Sequence, residues 1–157
     1  MPDAPPAGKV REGDQAPDFT LADQAGNDVT LSSLLGQWVV VYFYPKDDTP
    51  GCTAESCSFR DSHEDFTDAG AVVIGVSSDS VASHKAFAAK NNLPFTLLAD
   101  DGGTVRKAFG TGKTLGLLPG RVTYVIDPEG VVRKVFSSQF GATKHHTEAL
   151  ATIHGTG

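Results

Sequence analysis

The chain lacks most of what would mark it as a membrane, nucleic-acid or disulfide-framework protein. No stretch approaches the roughly eighteen consecutive apolar residues of a membrane-spanning helix, so no membrane partner is expected. Residues 1–8 are rich in proline and alanine and contain no apolar signal core, so export by the usual signal is not expected. Positive charge is in deficit: 13 Lys and Arg stand against 19 Asp and Glu, a net charge of −6. Charges of both signs are scattered without a basic run. Binding phosphate needs concentrated positive charge, so no nucleic-acid partner is expected. Cysteine is nearly absent, with only Cys52 and Cys57. Two cysteines make no scaffold of disulfides, but two so close together point to redox or metal chemistry.

What is there reads as a globular α/β protein. At 157 residues, 39% hydrophobic and 20% charged, the chain has the size and composition of one domain with its own core. Residues 1–12 read as a flexible N-terminal tail and residues 13–157 as a single domain. Residues 18–21 and 28–31 read as a small hairpin around the polar Asp23-Gln24-Ala25-Gly26-Asn27. Residues 39–44 are apolar without alternation, as a central strand covered on both faces should be. A helix is expected over 52–68, a buried strand over 71–76, and a helix from the cap Ser80 to residue 91. A short strand at 95–98, a short helix at 104–109 and a strand at 121–126 follow. Asp127-Pro128-Glu129-Gly130 is a turn by its residues, residues 131–136 return as its partner strand, and 143–153 form a closing helix. Alternating β and α units ending in a hairpin predict a mixed central sheet flanked by helices.

Both cysteines fall in one stretch, Tyr42-Phe43-Tyr44-Pro45-Lys46-Asp47-Asp48-Thr49-Pro50-Gly51-Cys52-Thr53-Ala54-Glu55-Ser56-Cys57. A strand, a Pro/Gly-broken turn and then a helix put Cys52 at a helix N-terminus. Backbone N–H groups point outward there and the helix dipole favours negative charge. A cysteine so placed can attack as a thiolate, and its sulfur is expected to be open to solvent. The competing readings are bland. The cysteines could be ordinary small core residues. They could supply two zinc ligands, but zinc usually takes four, with closer spacing inside each pair. His145 and His146 read as a solvated helix start, Lys46, Asp47 and Asp48 as a solvated turn, and His63 and His84 as exposed helix positions. Trp38 and the phenylalanines are most simply core.

The stretch closely resembles the peroxiredoxin family, and within it the bacterioferritin comigratory protein/peroxiredoxin Q branch. The family's Pro, Thr and Cys fall on Pro45, Thr49 and Cys52, and the second cysteine, on Cys57, marks the branch. The similarity starts near Gly13-Asp14-Gln15-Ala16-Pro17-Asp18-Phe19-Thr20-Leu21. It includes Phe59-Arg60-Asp61, Leu93-Pro94-Phe95 and Arg121-Val122-Thr123-Tyr124-Val125-Ile126-Asp127. Gln139-Phe140 and His145 look most like the plant and cyanobacterial form. The element order is compatible with a thioredoxin-like fold carrying an N-terminal β-hairpin. In such a core strand 121–126 lies antiparallel beside strand 39–44, which brings Arg121 to the loop holding Thr49 and Cys52.

The resemblance implies a thioredoxin-dependent peroxidase. Cys52 would attack a hydroperoxide and become a sulfenic acid. Arg121 would stabilise the thiolate and the leaving oxygen, Thr49 would hold a peroxide oxygen, Pro45 would shield the sulfur, and Glu55 would orient Arg121. Cys57 would condense with the sulfenic acid to a disulfide, recycled by thioredoxin or a similar reductant, with no metal or organic cofactor. Five residues along one helix separate Cα atoms by roughly 8–9 Å, whereas a disulfide needs about 4.4–6.8 Å. The reduced protein is therefore expected to keep the helix and the oxidised protein to unwind its first turns. A monomer is expected by resemblance, in the cytoplasm, or in a plastid if a transit peptide has been removed. The alternatives are a thioredoxin-like disulfide oxidoreductase, disfavoured because four residues rather than two separate the cysteines, and a redox-switched binding protein.

Overall fold

The computed structural model describes residues 10–111, 113–114, 118–119, 121–138 and 141–155. Strands β1 (Thr20–Asp23) and β2 (Asp28–Thr30) form the N-terminal hairpin. Then come β3 (Trp38–Phe43), helices α1 (Pro50–Asp61) and α2 (His63–Asp68), and β4 (Ala71–Ser77). Helix α3 (Val81–Asn91), β5 (Thr96–Ala99) and α4 (Thr104–Phe109) follow. After the short ladder of β6 (Lys113–Thr114) and β7 (Leu118–Pro119) the chain ends in β8 (Val122–Ile126), β9 (Val132–Ser137) and α5 (His145–Ile153). The seven-stranded sheet has the order β2-β1-β5-β4-β3-β8-β9. It is parallel where β3, β4 and β5 meet and antiparallel where β8 joins β3. This is the mixed sheet that the alternating elements predicted, and it agrees with the thioredoxin-like fold with which their order was compatible.

Strand β3 serves two cores at once. Val39, Val41 and Phe43 point into one with Phe19, Phe109 and Tyr124; Val40 and Tyr42 point into the other with Phe59, Phe66 and Phe87. Successive strand residues face opposite sides, so a strand buried on both sides must be apolar throughout. The second core is close-packed around Tyr42, whose ring stacks on Phe59 at 4.5 Å. Gly75 on β4 makes room for it, since a Cβ there would lie 2.7 Å from the Tyr42 ring.

The elements depart from the sequence expectations in places. The helix expected over 52–68 starts at Pro50 and is interrupted at Ser62, whose φ −102, ψ 9 is not helical. Pro50 opens it because proline has no N–H to lose at the first helical position. The first strand runs Thr20–Asp23 rather than 18–21. The β6–β7 ladder carries no strong apolar pattern and was not foreseen. Of residues 10–12, assigned to the tail, Val10 is buried and its N–H bonds the Phe109 carbonyl, while Arg11 and Glu12 are exposed, with Glu12 accepting from the Val135 N–H. Trp38 and Phe136 are only half-buried. Gln139 and Phe140 lie outside the described residues.

Candidate active site

Helix α1 carries both cysteines. Thr49 is its N-cap and Pro50 its first residue, so Cys52 sits in the first turn. The Thr53 N–H bonds the Thr49 carbonyl at 2.9 Å. The N–H groups of Gly51 and Cys52 precede that first intrahelical bond and stay available to an anion. The inward stripe of α1 is Cys52, Glu55, Ser56 and Phe59. That spacing is the apolar face of an amphipathic helix, yet two of its four members are polar. A buried polar group must find partners. Ser56 Oγ lies 2.9 Å from Tyr42 Oη, and Glu55 Oε1 accepts from Arg121 Nη1 at 2.6 Å.

Arg121 arrives from the strand next door. Phe43 pairs with Val122 across the β3–β8 ladder, so Arg121 emerges beside the loop that follows β3. Its guanidinium, 5% exposed, donates to Glu55 and lies within hydrogen-bonding reach of the Cys52 sulfur. Burial pulls its pKa down, but Glu55 and Cys52 together hold it above the ordinary value. Gly51 lets it approach: a Cβ there would stand 3.0 Å from Arg121 Nη2. Thr49 Oγ1 donates to the Lys46 carbonyl at 2.8 Å, which leaves its oxygen as an acceptor. Pro45, half-buried, precedes Lys46 in the same loop.

Glu55 anchors a second layer. Burial pushes its carboxyl up to about 8, with the charge and hydrogen bond of Arg121 pulling the other way. Its Oε2 is 3.5 Å from His145 Nδ1. His145 Nδ1 is also 2.7 Å from Thr123 Oγ1, and Nε2 is 3.0 Å from the Ser138 carbonyl. A carbonyl only accepts, so Nε2 carries the proton and Nδ1 takes the Thr123 hydroxyl. Burial drives the His145 pKa down to about 4, which keeps the ring neutral. His145 is therefore 0% exposed at the start of α5, not the solvated residue its sequence context suggested. Asp47 and His84, also expected in solvent, are buried against each other, with Nδ1 2.8 Å from Oδ2. Side chains at a turn and on a helix were read as polar because sequence does not show which of them fold under a neighbouring element.

Two features differ from expectation at the sulfur itself. Cys52 is 0% exposed, not open to solvent. It shares the inward stripe of α1 with Phe59 and packs into the Tyr42 and Tyr44 core. Arg106, which sequence reading passed over, is a second buried guanidinium whose charge acts on Cys52. It donates to the Tyr44 carbonyl at 2.7 Å and lies over the Phe43 ring at 5.7 Å. Asp100 places it by accepting the Val105 and Arg106 N–H groups at the start of α4. An arginine among the buried positions Val105 and Phe109 was the available signal.

Cys57 lies farther along α1 and is half-buried, its Sγ 3.8 Å from Asn91 Oδ1 at the end of α3. Both cysteines are free thiols, and the helix between them is intact. That agrees with the expectation for the reduced state.

A family model described as the AhpC/TSA family matches residues 12–135. The chain is 55% identical over 147 residues to the chloroplastic peroxiredoxin Q of Triticum aestivum, covering 93% of this chain and 68% of that one. It is 57% identical over 146 residues to the chloroplastic peroxiredoxin Q of Sedum lineare, covering 92% and 78%. Among solved structures, the peroxidoxin BcpB of Mycobacterium tuberculosis superposes with a TM-score of 0.86 at 41% identity, over 93% of this chain and 97% of that one. A Xanthomonas campestris bacterioferritin comigratory protein, described for its alkyl peroxide reduction activity, superposes with a TM-score of 0.81 at 35% identity, over 87% and 90%. The likeness extends over most of the chain, and the chain belongs to the AhpC/TSA family as a thiol-dependent peroxidase of its peroxiredoxin Q branch.

Proposed function

We propose that Cys52 is the sulfur that attacks the peroxide and that Cys57 resolves it. The Cys52 thiolate takes the terminal oxygen of ROOH. The O–O bond breaks, sulfur is oxidised to the sulfenic acid, and RO⁻ leaves to pick up a proton as water or alcohol. Arg121 stabilises the thiolate and then the charge growing on the leaving oxygen. Thr49, with its own proton committed to Lys46, accepts the peroxide O–H, and the Gly51 and Cys52 N–H groups hold the reacting oxygen. Pro45 covers the sulfur without offering a donor. Cys57 then displaces water from the sulfenic acid to give the disulfide, which a thioredoxin-like dithiol reduces. The observation that carries this reading is the single guanidinium shared between the Cys52 sulfur and Glu55.

The burial of Cys52 adds a requirement. Peroxide reaches the sulfur only through a local opening of the chain around it. Hydrogen peroxide and organic hydroperoxides are the substrates this chemistry accepts, and the Xanthomonas relative described for alkyl peroxide reduction favours including the larger ones. The chloroplastic names of the plant relatives favour a plastid over the cytosol. The test is mass spectrometry after one equivalent of peroxide. Cys52→Ser is expected to abolish turnover, and Cys57→Ser to form one sulfenic acid and then stall with thioredoxin. Retained turnover in the first, or no reaction at all in the second, reverses the assignment.

A further inference from the structure

The loop that delivers Pro45 and Thr49 is tied down at a buried cluster that the reaction above does not use. The Asp47 carboxylate accepts the Tyr44 hydroxyl at 2.6 Å and the Ser83 hydroxyl at 2.8 Å. Its Oδ2 also lies 2.8 Å from His84 Nδ1. The other ring nitrogen, Nε2, lies 2.9 Å from the Leu98 carbonyl on β5. His84 is 0% exposed, so water does not complete its bonding.

The partners decide where the protons are. A carbonyl oxygen can only accept, so Nε2 carries one. An ionised Asp47 has no proton to give and is acceptor-only, so toward Nδ1 it accepts as it does from the two hydroxyls, and Nδ1 carries another. An imidazole with protons on both nitrogens is a cation. We infer that His84 is a buried imidazolium paired with Asp47, and that it acts as a positioning residue for the peroxide-binding loop.

The geometry shows what the pair positions. Asp48, next in the chain, has φ +63 and turns the backbone into Thr49, the N-cap of α1. Left-handed backbone at a residue other than glycine is unfavourable and persists where its surroundings hold it. His84 holds the Asp47 side chain from α3. The half-buried Asp79 holds the Asp47 N–H at 2.8 Å. On the surface, Lys90 reaches Asp48 at 3.2 Å, a screened contact that contributes little. Asp79 is a further acidic group close to the pair: Asp47, Asp79 and His84 offer ligand atoms within 4.8 Å of one another. Both ring nitrogens of His84 are already engaged, so the cluster is complete without a metal. A buried ion pair is weak support for stability. What it supplies here is direction, fixing Asp47 and through it the hydroxyl of Thr49.

This inference rests on the roles given above to Cys52 and Thr49, and its test separates the two. In the ¹³C,¹⁵N-labelled full chain near neutral pH, both ring nitrogens of His84 are expected to give protonated-nitrogen signals, assigned by through-bond correlations within the native side chain. One bare nitrogen overturns the inference. In two-substrate kinetics, His84→Gln and Asp47→Asn are expected to lower kcat/KM for hydrogen peroxide on the order of tenfold to a hundredfold. They leave kcat/KM for the reducing dithiol unchanged, because Cys57 and its contacts are untouched. Equal losses in both constants, or no loss in the first, overturn it. Where the variants fail to fold, the spectrum of the native protein decides alone. A Cys52→Ser protein that still consumed peroxide would remove the catalytic reading while leaving the His84 spectrum intact.

Discussion

Arg121 Nη1 lies 2.6 Å from Glu55 Oε1, although 66 residues separate them in the chain. The contact follows from the register that sets Val122 opposite Phe43, together with the short loop from β3 into α1. It puts one charge at the sulfur and ties that charge to the helix that carries the sulfur. Arg121→Ala should therefore damage both function and fold. The peroxide step should slow on the order of a hundredfold to a thousandfold, as for the loss of one oxyanion donor. The buried Glu55 acceptor left behind should cost about 1–3 kcal/mol of stability. Stopped-flow oxidation and a urea titration measure the two separately, and Arg121→Lys should recover only part of the rate because the forked contact is lost.

Gly51→Ala should separate rate from stability. A methyl group 3.0 Å from Arg121 Nη2 forces the guanidinium to shift by a few tenths of an ångström. In helical backbone the same change favours folding by about 0.8–1 kcal/mol. The expected outcome is a melting temperature unchanged or raised and a peroxide step slowed about tenfold.

Stability should depend on pH through two buried groups of opposite sign. Glu55 is raised from 4.5 to about 8 by burial, so between those values the folded state binds the extra proton. Its contribution is complete below the unfolded pKa and is lost as pH rises toward 8. His145 is lowered from 6.5 to about 4, so its contribution is complete above 6.5 and is lost as pH falls toward 4. The two oppose each other between 4.5 and 6.5, and above that only the Glu55 contribution of the pair still changes, up to 8. Urea midpoints should fall less steeply across that upper window in Glu55→Gln than in the native protein.

Oxidation should undo the contacts that hold the inner face of α1. Glu55 and Ser56 lie between the two cysteines, so closing the disulfide must break their bonds to Arg121 and Tyr42. Hydrogen exchange at residues 53–57 should be slow in the reduced protein and fast in the oxidised one. Equal protection in both states would mean that the cysteines pair without unwinding the helix. Tyr42, freed from Ser56, should also report the change in its fluorescence.

Much of the fold was legible because its signals are local. The unbroken apolar run of β3, the Ser80 cap of α3 and the turn at Asp127 each follow from neighbouring residues. The Ser80 hydroxyl does accept the Ser83 N–H, as its position implied. The break at Ser62 was not legible, since nothing in its immediate sequence forbids a helix; α1 and α2 on either side of it bury Phe59 and Phe66 in the same core. The candidate site could be read where motif and chemistry coincide, at the residues proposed for it, Pro45, Thr49, Cys52, Cys57 and Arg121. It was not legible at Arg106, His84 and His145, whose partners lie on other elements.

By itself the sequence determined the strand-turn-helix unit that sets Cys52 in the first turn of α1, the second cysteine five positions on, the acidic net charge, and the lack, among the described residues, of a helix long and apolar enough to cross a membrane. Only the tertiary structure decided that Cys52 is covered, that two arginines face it, and that two histidines are buried beneath its loop and its helix. Backbone preference and side-chain periodicity act over a few residues and can be read along a line. Burial depends on which surfaces the sheet order brings face to face, and that order is set by pairings across dozens of residues that no local pattern records.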